Sequence, residues 1–310
     1  MTDIKLFRIG QNQVCELAGQ SVAIEKTLQE IMERHLDALL GVRFLASEYS
    51  TGKVHGGRID TLGIDENGSP VIVEYKRASN QNVINQGLFY LDWLLDHHKD
   101  FEMLVLKRFG PTAEEGVDWR YPRLLCIAGD FTKYDEKAVQ QIPRNIELIR
   151  YKRYGNDLLL LDLVNSITEQ PLEERNVQNG ALKSKHLSSE RPSRTVSDLL
   201  VAASIDQQDR YEAIKAFLLA LGDDVQVKTL AYYFAFRRIK NFACVEIHPQ
   251  AKTILVYVKG DPDMLTLDPG FTRDVRKIGH FGTGDLEITI RSDADFERAQ
   301  PLLLRSYEQS

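Results

Sequence analysis

The sequence predicts an α/β (α+β) protein of two units: a mixed sheet flanked by helices, then a smaller α+β domain. Three observations lead there. Helix-like and strand-like periodicities alternate in the order α-β-β-β-α-β over the first half of the chain. The pattern dissolves from Ser166 to Arg194, and helix and strand patterns resume after it. The 310 residues suit two domains at roughly 100–200 residues each, enough for each to bury its own core.

Ile4–Ile9 and Val14–Leu17 read as short strands. Val22–Leu40 carries Ile24, Leu28, Ile31, Met32, His35, Leu36, Leu39 and Leu40 at helical spacing, and Gly41 stops it. Val42–Tyr49, Ile59–Asp65 and Pro70–Lys76 read as three strands, Asn82–Asp96 as an amphipathic helix and Phe101–Phe109 as a third helix. Arg123–Ala128 is a strand and Lys133–Gln141 a helix, and Ile146–Tyr154 pairs with Leu158–Val164 across Gly155-Asn156. The first domain is therefore set at residues 1–165 and the linker at 166–195, whose second half is basic through Lys183, Lys185, Arg191 and Arg194. The second domain, 196–310, holds a helix over Asp209–Leu221, paired strands Ala243–His248 and Thr253–Lys259, a strand Leu286–Arg291 and a closing helix Asp293–Tyr307 that Pro301 could kink or divide.

Composition sets few limits. The chain is 43% hydrophobic and 27% charged, ordinary for a globular protein. No stretch approaches the ~18 consecutive apolar residues of a membrane helix. Met1-Thr2-Asp3-Ile4-Lys5 lacks a signal-peptide layout, so a cytoplasmic protein without a membrane role is expected. Cys15, Cys126 and Cys244 make no C-x-x-C pair and read as free thiols in a reducing compartment. A net charge of −6 does not advertise nucleic-acid binding; phosphate contacts depend instead on where Lys and Arg are placed locally.

The chemistry concentrates between Gly56 and Arg77. Two apolar strands flank Asn67-Gly68, a strong hairpin signal. A two-residue turn would set Asp60 opposite Tyr75 and push Glu74 to the other face. A three-residue loop, Glu66-Asn67-Gly68 with Gly68 left-handed, sets Asp60 opposite Glu74 with Cβ atoms ~4.5–5.5 Å apart. The second register is expected. It gathers Asp60, Glu74 and Lys76 on one face, with Arg58, Leu62 and Ile72 beside them. Charge in such an apolar strand pair is costly unless it pairs or holds a metal. Two carboxylates suit an oxygen-seeking ion such as Mg²⁺, which can activate water and stabilise charge at a phosphate, with the lysine assisting. A salt-bridged structural cluster is the competing reading. Gln86 and Tyr90, four apart, share a helix face, and Glu25, Gln29 and Glu33 form a polar stripe on the first helix.

The stretch from about Glu25 to Tyr90 resembles the PD-(D/E)XK nuclease superfamily, in particular its NucS-type and RecB-like branch. The resemblance is carried by Glu25, by Asp60 after Gly57-Arg58-Ile59, by Glu74-Tyr75-Lys76, and by Gln86 with Tyr90. It implies a restriction-endonuclease-like mixed sheet and Mg²⁺- or Mn²⁺-dependent hydrolysis of DNA phosphodiester bonds, in repair, restriction or defence. It also implies metal held by Asp60, Glu74, the Tyr75 carbonyl and Glu25, with catalysis by Asp60, Glu74, Lys76, Gln86 and Tyr90. Either Glu25 or Glu33 can match the first-helix acid. The alternative is an inactive nucleic-acid or protein binding module on the same fold. Arg58, Arg77, Arg273, Arg276 and Lys277 are the candidate nucleic-acid contacts. Residues Pro269 to Glu287 resemble a small bacterial domain of unassigned function, expected here to bind substrate or a partner or to form a homodimer.

Overall fold

The computed structural model describes residues 4–10, 13–20, 25–76, 83–155, 157–166 and 195–310. Arg77 and nearly all of the expected linker lie outside the described residues, as does the side chain of Glu25. The chain forms two compact units, Met1–Gly180 and Ala181–Ser310. Among the described residues no helix is long and apolar enough to cross a membrane.

The first unit is a seven-stranded mixed sheet flanked by helices. A small hairpin of β1 (Leu6–Ile9) and β2 (Val14–Leu17) precedes it. The sheet order is β3 (Gly19–Gln20), β8 (Asn145–Tyr154), β7 (Arg123–Ala128), β6 (Pro70–Lys76), β5 (Arg58–Asp65), β4 (Val42–Ser50), with β9 (Leu158–Ser166) also paired to β8. β4, β5 and β6 run antiparallel, whereas β6, β7 and β8 are parallel. Parallel neighbours need crossovers, supplied by α4 (Val83–Asp96), α5 (His98–Phe109) and α6 (Pro111–Glu115), and then by α7 (Lys133–Val139). The apolar side chains of α4 and α5 join Leu62, Ile72, Leu124, Cys126 and Leu148 in one core. Gly87 allows the approach: a Cβ there would lie 2.5 Å from Leu124 Cδ1.

The helix expected over Val22–Leu40 is two helices, α1 (Glu25–Arg34) and α2 (Leu36–Leu40), broken at His35. The break lets α1 bury Leu28 and Met32 while α2 buries Leu36 and Leu40. A Cβ at Gly63 would meet Val42 and Leu36, so α2 sits down on the start of β4 because β5 has no side chain there.

The β5–β6 hairpin takes the three-residue loop. Thr61 pairs with Val73, Leu62 with Ile72 and Ile64 with Pro70. Asp65 N–H donates to the Ser69 carbonyl, and Gly68 has φ +80°. Asp65 Oδ1 shapes the loop by accepting from Asn67 N and Ser69 N, both at 2.9 Å. Its other oxygen accepts from Arg123 Nη1 at 2.9 Å, and the same guanidinium makes two bonds to Glu147 at 2.8 and 2.9 Å. This buried triad ties β5, β7 and β8 together at the loop end of the hairpin.

The second unit is a six-stranded antiparallel sheet in the order β10 (Gln226–Thr229), β11 (Phe234–Arg237), β12 (Asn241–His248), β13 (Thr253–Val258), β15 (Leu286–Ile290), β14 (Thr272–Asp274). α8 (Val196–Val201), α9 (Ile205–Leu219) and α10 (Asp293–Glu308) pack in a single core with one face of that sheet. Pro301 lies inside α10, which continues past it as one helix. β10, β11, β14 and α8 were not expected from the sequence. β11 is buried on both faces and ends in the buried Arg237, and the one buried residue of β10 is Lys228, so neither shows an apolar-in, polar-out alternation. The signal for α8 was Thr195 with Asp198, which form a capping box.

Removing Arg123 would leave Asp65 and Glu147 buried and uncompensated. Arg123→Ala is expected to cost about 3–5 kcal/mol, measured as a lower urea midpoint at an unchanged m-value.

Candidate active site

At the open end of the β5–β6 hairpin the backbone pairing runs as far as Thr61 and Val73, and two carboxylates continue the ladder. Glu74 Oε1 accepts from Asp60 N at 3.1 Å, and Asp60 Oδ2 accepts from Tyr75 N at 3.0 Å. Each acid is thus fixed by the other's strand. Asp60 is partly exposed and lines a cleft of about 560 Å³ together with Glu48, Lys53, Arg58, Gln86 and Tyr90. Glu74 is fully buried at 0% exposure, and its Oε2 has no hydrogen-bond partner. Burial, then the neighbouring Asp60 carboxylate, push its pKa up to about 9, against the pull of the Asp60 N–H and of Lys76. Lys76, two residues on, shares its face of β6 and is part-exposed.

The opposite wall of the cleft comes from α4. Gln86 Nε2 donates to Tyr90 Oη at 3.3 Å, and Tyr90 Oη accepts from Arg58 N at 3.2 Å. Tyr90 lies against Gly57, where a Cβ would be 2.6 Å from its ring. The Gln-x-x-x-Tyr pair is therefore bonded to the first residue of the strand that carries Asp60.

Gln29 and Glu33, two members of the polar stripe of α1, do face the sheet. Gln29 Nε2 donates to the Asp60 carbonyl at 2.8 Å and to Glu33 at 2.9 Å. Glu33 also accepts from Thr61 Oγ1 at 2.6 Å. Thr61 alternates with Asp60, so Glu33 belongs to the other face of the sheet, where Tyr75 is also buried. Of the two candidate first-helix acids, Glu33 is thus already engaged away from Glu74. Glu25 opens α1.

Sequence reasoning missed Glu48. Ser47 pairs with Thr61 and Tyr49 with Ile59, which sets Glu48 opposite Asp60. Its backbone is left-handed, φ +52°. The other described non-glycine residue with positive φ, Lys252, lies in the turn between β12 and β13. Glu48 Oε2 is 3.2 Å from Arg58 Nε and Oε1 is 3.5 Å from Lys26 Nζ. A left-handed conformation costs a residue with a side chain ~1–2 kcal/mol, whereas an exposed ion pair returns about 0–1 kcal/mol.

In the second unit the expected basic cluster is matched by acids. Arg273 bonds Glu287, and Arg276 lies among Asp261, Asp263 and Asp274. Lys277 is exposed. His280 stacks on Tyr257 at 4.4 Å. Arg237 is buried and bonds the carbonyls of Arg238 and Ile239.

Among the described residues no group of three or more His, Cys, Asp or Glu is placed to hold a metal. The orphaned Glu74 Oε2 beside Asp60 nevertheless fits a cation: a buried oxygen without a donor is expensive unless it is protonated or bound to one.

The chain thus combines a mixed α/β unit, with paired carboxylates at a cleft, and a separate antiparallel-sheet unit. Residues 196–310 match the model of a domain of unknown function, DUF5655. The whole chain belongs to one family with an uncharacterized protein of Haemophilus influenzae, 30% identical over 302 residues, covering 97% of this chain and 98% of the relative. Among solved structures it is similar to a repair endonuclease from Pyrococcus abyssi, at 17% identity and a TM-score of 0.28 over 43% of this chain and 50% of that one. It is also similar to EndoMS in its complex with double-stranded DNA, at 17% identity and a TM-score of 0.24 over 46% of this chain and 49% of that one. The chain spans about half the length of these solved structures.

Because the folded pKa of Glu74 lies above its unfolded value, the stability it contributes is complete below about pH 4.5 and is lost as pH rises toward about 9. Metal-free wild type should therefore lose stability between pH 5 and pH 8.5 relative to Glu74→Gln, by up to ~1.4 kcal/mol per pH unit, on the order of several kcal/mol in all. Urea unfolding of both proteins across that range checks this. Parallel pH profiles would contradict it.

Proposed function

We propose that the chain is a divalent-metal-dependent nuclease that hydrolyses DNA phosphodiester bonds at the Asp60–Glu74 cleft. The observation that carries this reading is the fully buried Glu74 carboxylate, with one oxygen unpartnered, set against Asp60 at the wall of an open cleft. Support comes from this chain's own side chains. A purely structural cluster would satisfy its buried oxygens, as Asp65, Arg123 and Glu147 do at the other end of the hairpin.

Asp60 and Glu74 would hold Mg²⁺ or Mn²⁺, with the Tyr75 carbonyl and Glu25 as further ligands. Such an ion supplies a Lewis acid for the phosphate and lowers the pKa of a bound water. The residues do the rest. Lys76, on the face of Glu74, orients the attacking water and offsets charge developing on the phosphate. The Tyr90 hydroxyl, held by Gln86, fixes the start of β5 through the Arg58 amide and thereby the position of Asp60. Arg58 and Lys53, at the cleft wall, bind the flanking backbone phosphates. The second domain binds the substrate or a partner.

Metal uptake must displace the proton that Glu74 retains below about pH 9. Affinity for Mn²⁺ should therefore rise with pH, about tenfold per unit where one proton is released. Cleavage is tested on single-stranded, duplex and branched DNA with Mg²⁺ or Mn²⁺, using wild type, Asp60→Ala and Lys76→Ala. Metal-dependent cutting that falls by about 10²–10³ or more in both variants is expected. DNA binding without cutting under every metal condition would replace the nuclease with a binding module.

A further inference from the structure

We infer that Glu48 is a positioning residue that holds Arg58 over the cleft as a phosphate contact. The inference rests on the nuclease reading of the same site and goes beyond it by assigning a residue outside the acid-acid-lysine set.

Arg58 needs such a partner. Its side chain is 68% exposed, and a long exposed cation samples many rotamers unless something fixes it. Glu48 supplies the fixed point from the neighbouring strand, with its carboxylate 3.2 Å from Arg58 Nε and 3.5 Å from Lys26 Nζ. Its own placement is unusual. It sits inside β4, opposite Asp60, yet its backbone is left-handed. The ion pairs it makes are too exposed to offset that conformation by stability alone. Strain that stability does not explain and that lies on a cleft wall points to function. Arg58 in turn is bound to the site at its backbone, where its amide donates to Tyr90 Oη. Backbone and guanidinium are thus held from two sides, two residues before Asp60, and a phosphate bound by Arg58 is set at a fixed distance from the scissile one.

Glu48 is itself an acid in a cleft for a polyanion. Taken alone it repels DNA, and its removal should leave binding equal or tighter. As a positioning residue its removal should instead weaken the dependence of the protein on Arg58. The two effects separate in a double-mutant cycle.

The experiment measures binding of a short labelled DNA duplex in Ca²⁺ as a function of salt, and cleavage in Mg²⁺, for wild type, Arg58→Ala, Glu48→Gln and the double variant. In the wild-type background Arg58→Ala is expected to reduce the salt slope by about one. In the Glu48→Gln background the same substitution is expected to change the slope and the affinity much less. Glu48→Gln should lower kcat by about tenfold or more with KM unchanged or lower, and the double variant should cleave no worse than Arg58→Ala. Glu48→Gly, which removes the acid and accepts the left-handed backbone, should show the same coupling with a Tm no lower than wild type, which rules out misfolding. An Arg58→Ala effect of equal size in both backgrounds, or none in either, overturns the inference. The binding arm reads this without turnover, so a protein that binds DNA but never cuts would refute the nuclease reading and still decide the role of Glu48.

Discussion

The Asp65 carboxylate sets the register on which the rest of the first unit depends. One of its oxygens closes the Glu66-Asn67-Gly68 loop through two backbone amides, and the other is locked to Arg123 and through it to Glu147. A slip of one residue would turn Glu74 to the opposite face and leave Asp60 facing Tyr75. The loop also has to fit its surroundings. Gly68 carries the positive φ, and its carbonyl accepts from Asp118 N at 2.8 Å. A Cβ at Gly68 would lie 2.3 Å from the Gly116 carbonyl oxygen. Loop chemistry at one end of a hairpin thus decides which acids meet at the other end.

The two ends of the hairpin handle buried charge in opposite ways. At the loop end three charged groups are buried and bonded to one another, so desolvation is offset by geometry. At the cleft end Glu74 is equally buried, but one of its oxygens is left without a donor. The surrounding structure tolerates this because β6 is central, paired to β5 on one side and β7 on the other. The stable end supports the unstable one. The same contrast applies at Glu48, where a strained backbone faces the cleft while its neighbours Ser47 and Tyr49 pair in register with Thr61 and Ile59.

Most of the first unit was legible because its strands are short, apolar and separated by clear stops. Pro70–Lys76 and Arg123–Ala128 have the bounds read from the sequence. The three-residue register was legible too, since glycine at the third loop position suits a left-handed residue. His35 was not legible as a break, because Leu36 and Leu40 continue the helical spacing across it and only their docking on β4 interrupts the helix. Glu48 was invisible for a related reason: its position opposite Asp60 follows from β4–β5 pairing, which no local pattern encodes. In the second unit Lys228 and Arg237 hide two strands, because buried charge breaks the alternation by which strands are recognised. The cluster expected around Arg276 was read from its basic residues, whereas the acids that neutralise it come from three separate positions, Asp261, Asp263 and Asp274.

The proposed nuclease activity requires that Asp60 and Glu74 together bind a divalent cation. Crystals of the protein soaked in Mn²⁺, with anomalous data collected for wild type and for Glu74→Gln, test it most directly. The expected result is one strong wild-type peak between the two carboxylates, with Glu74 Oε2 about 2.0–2.2 Å from the ion, in keeping with oxygen ligation of a small divalent cation, and no such peak in the variant. A wild-type map without density there, or a peak that persists after Glu74→Gln, would contradict it.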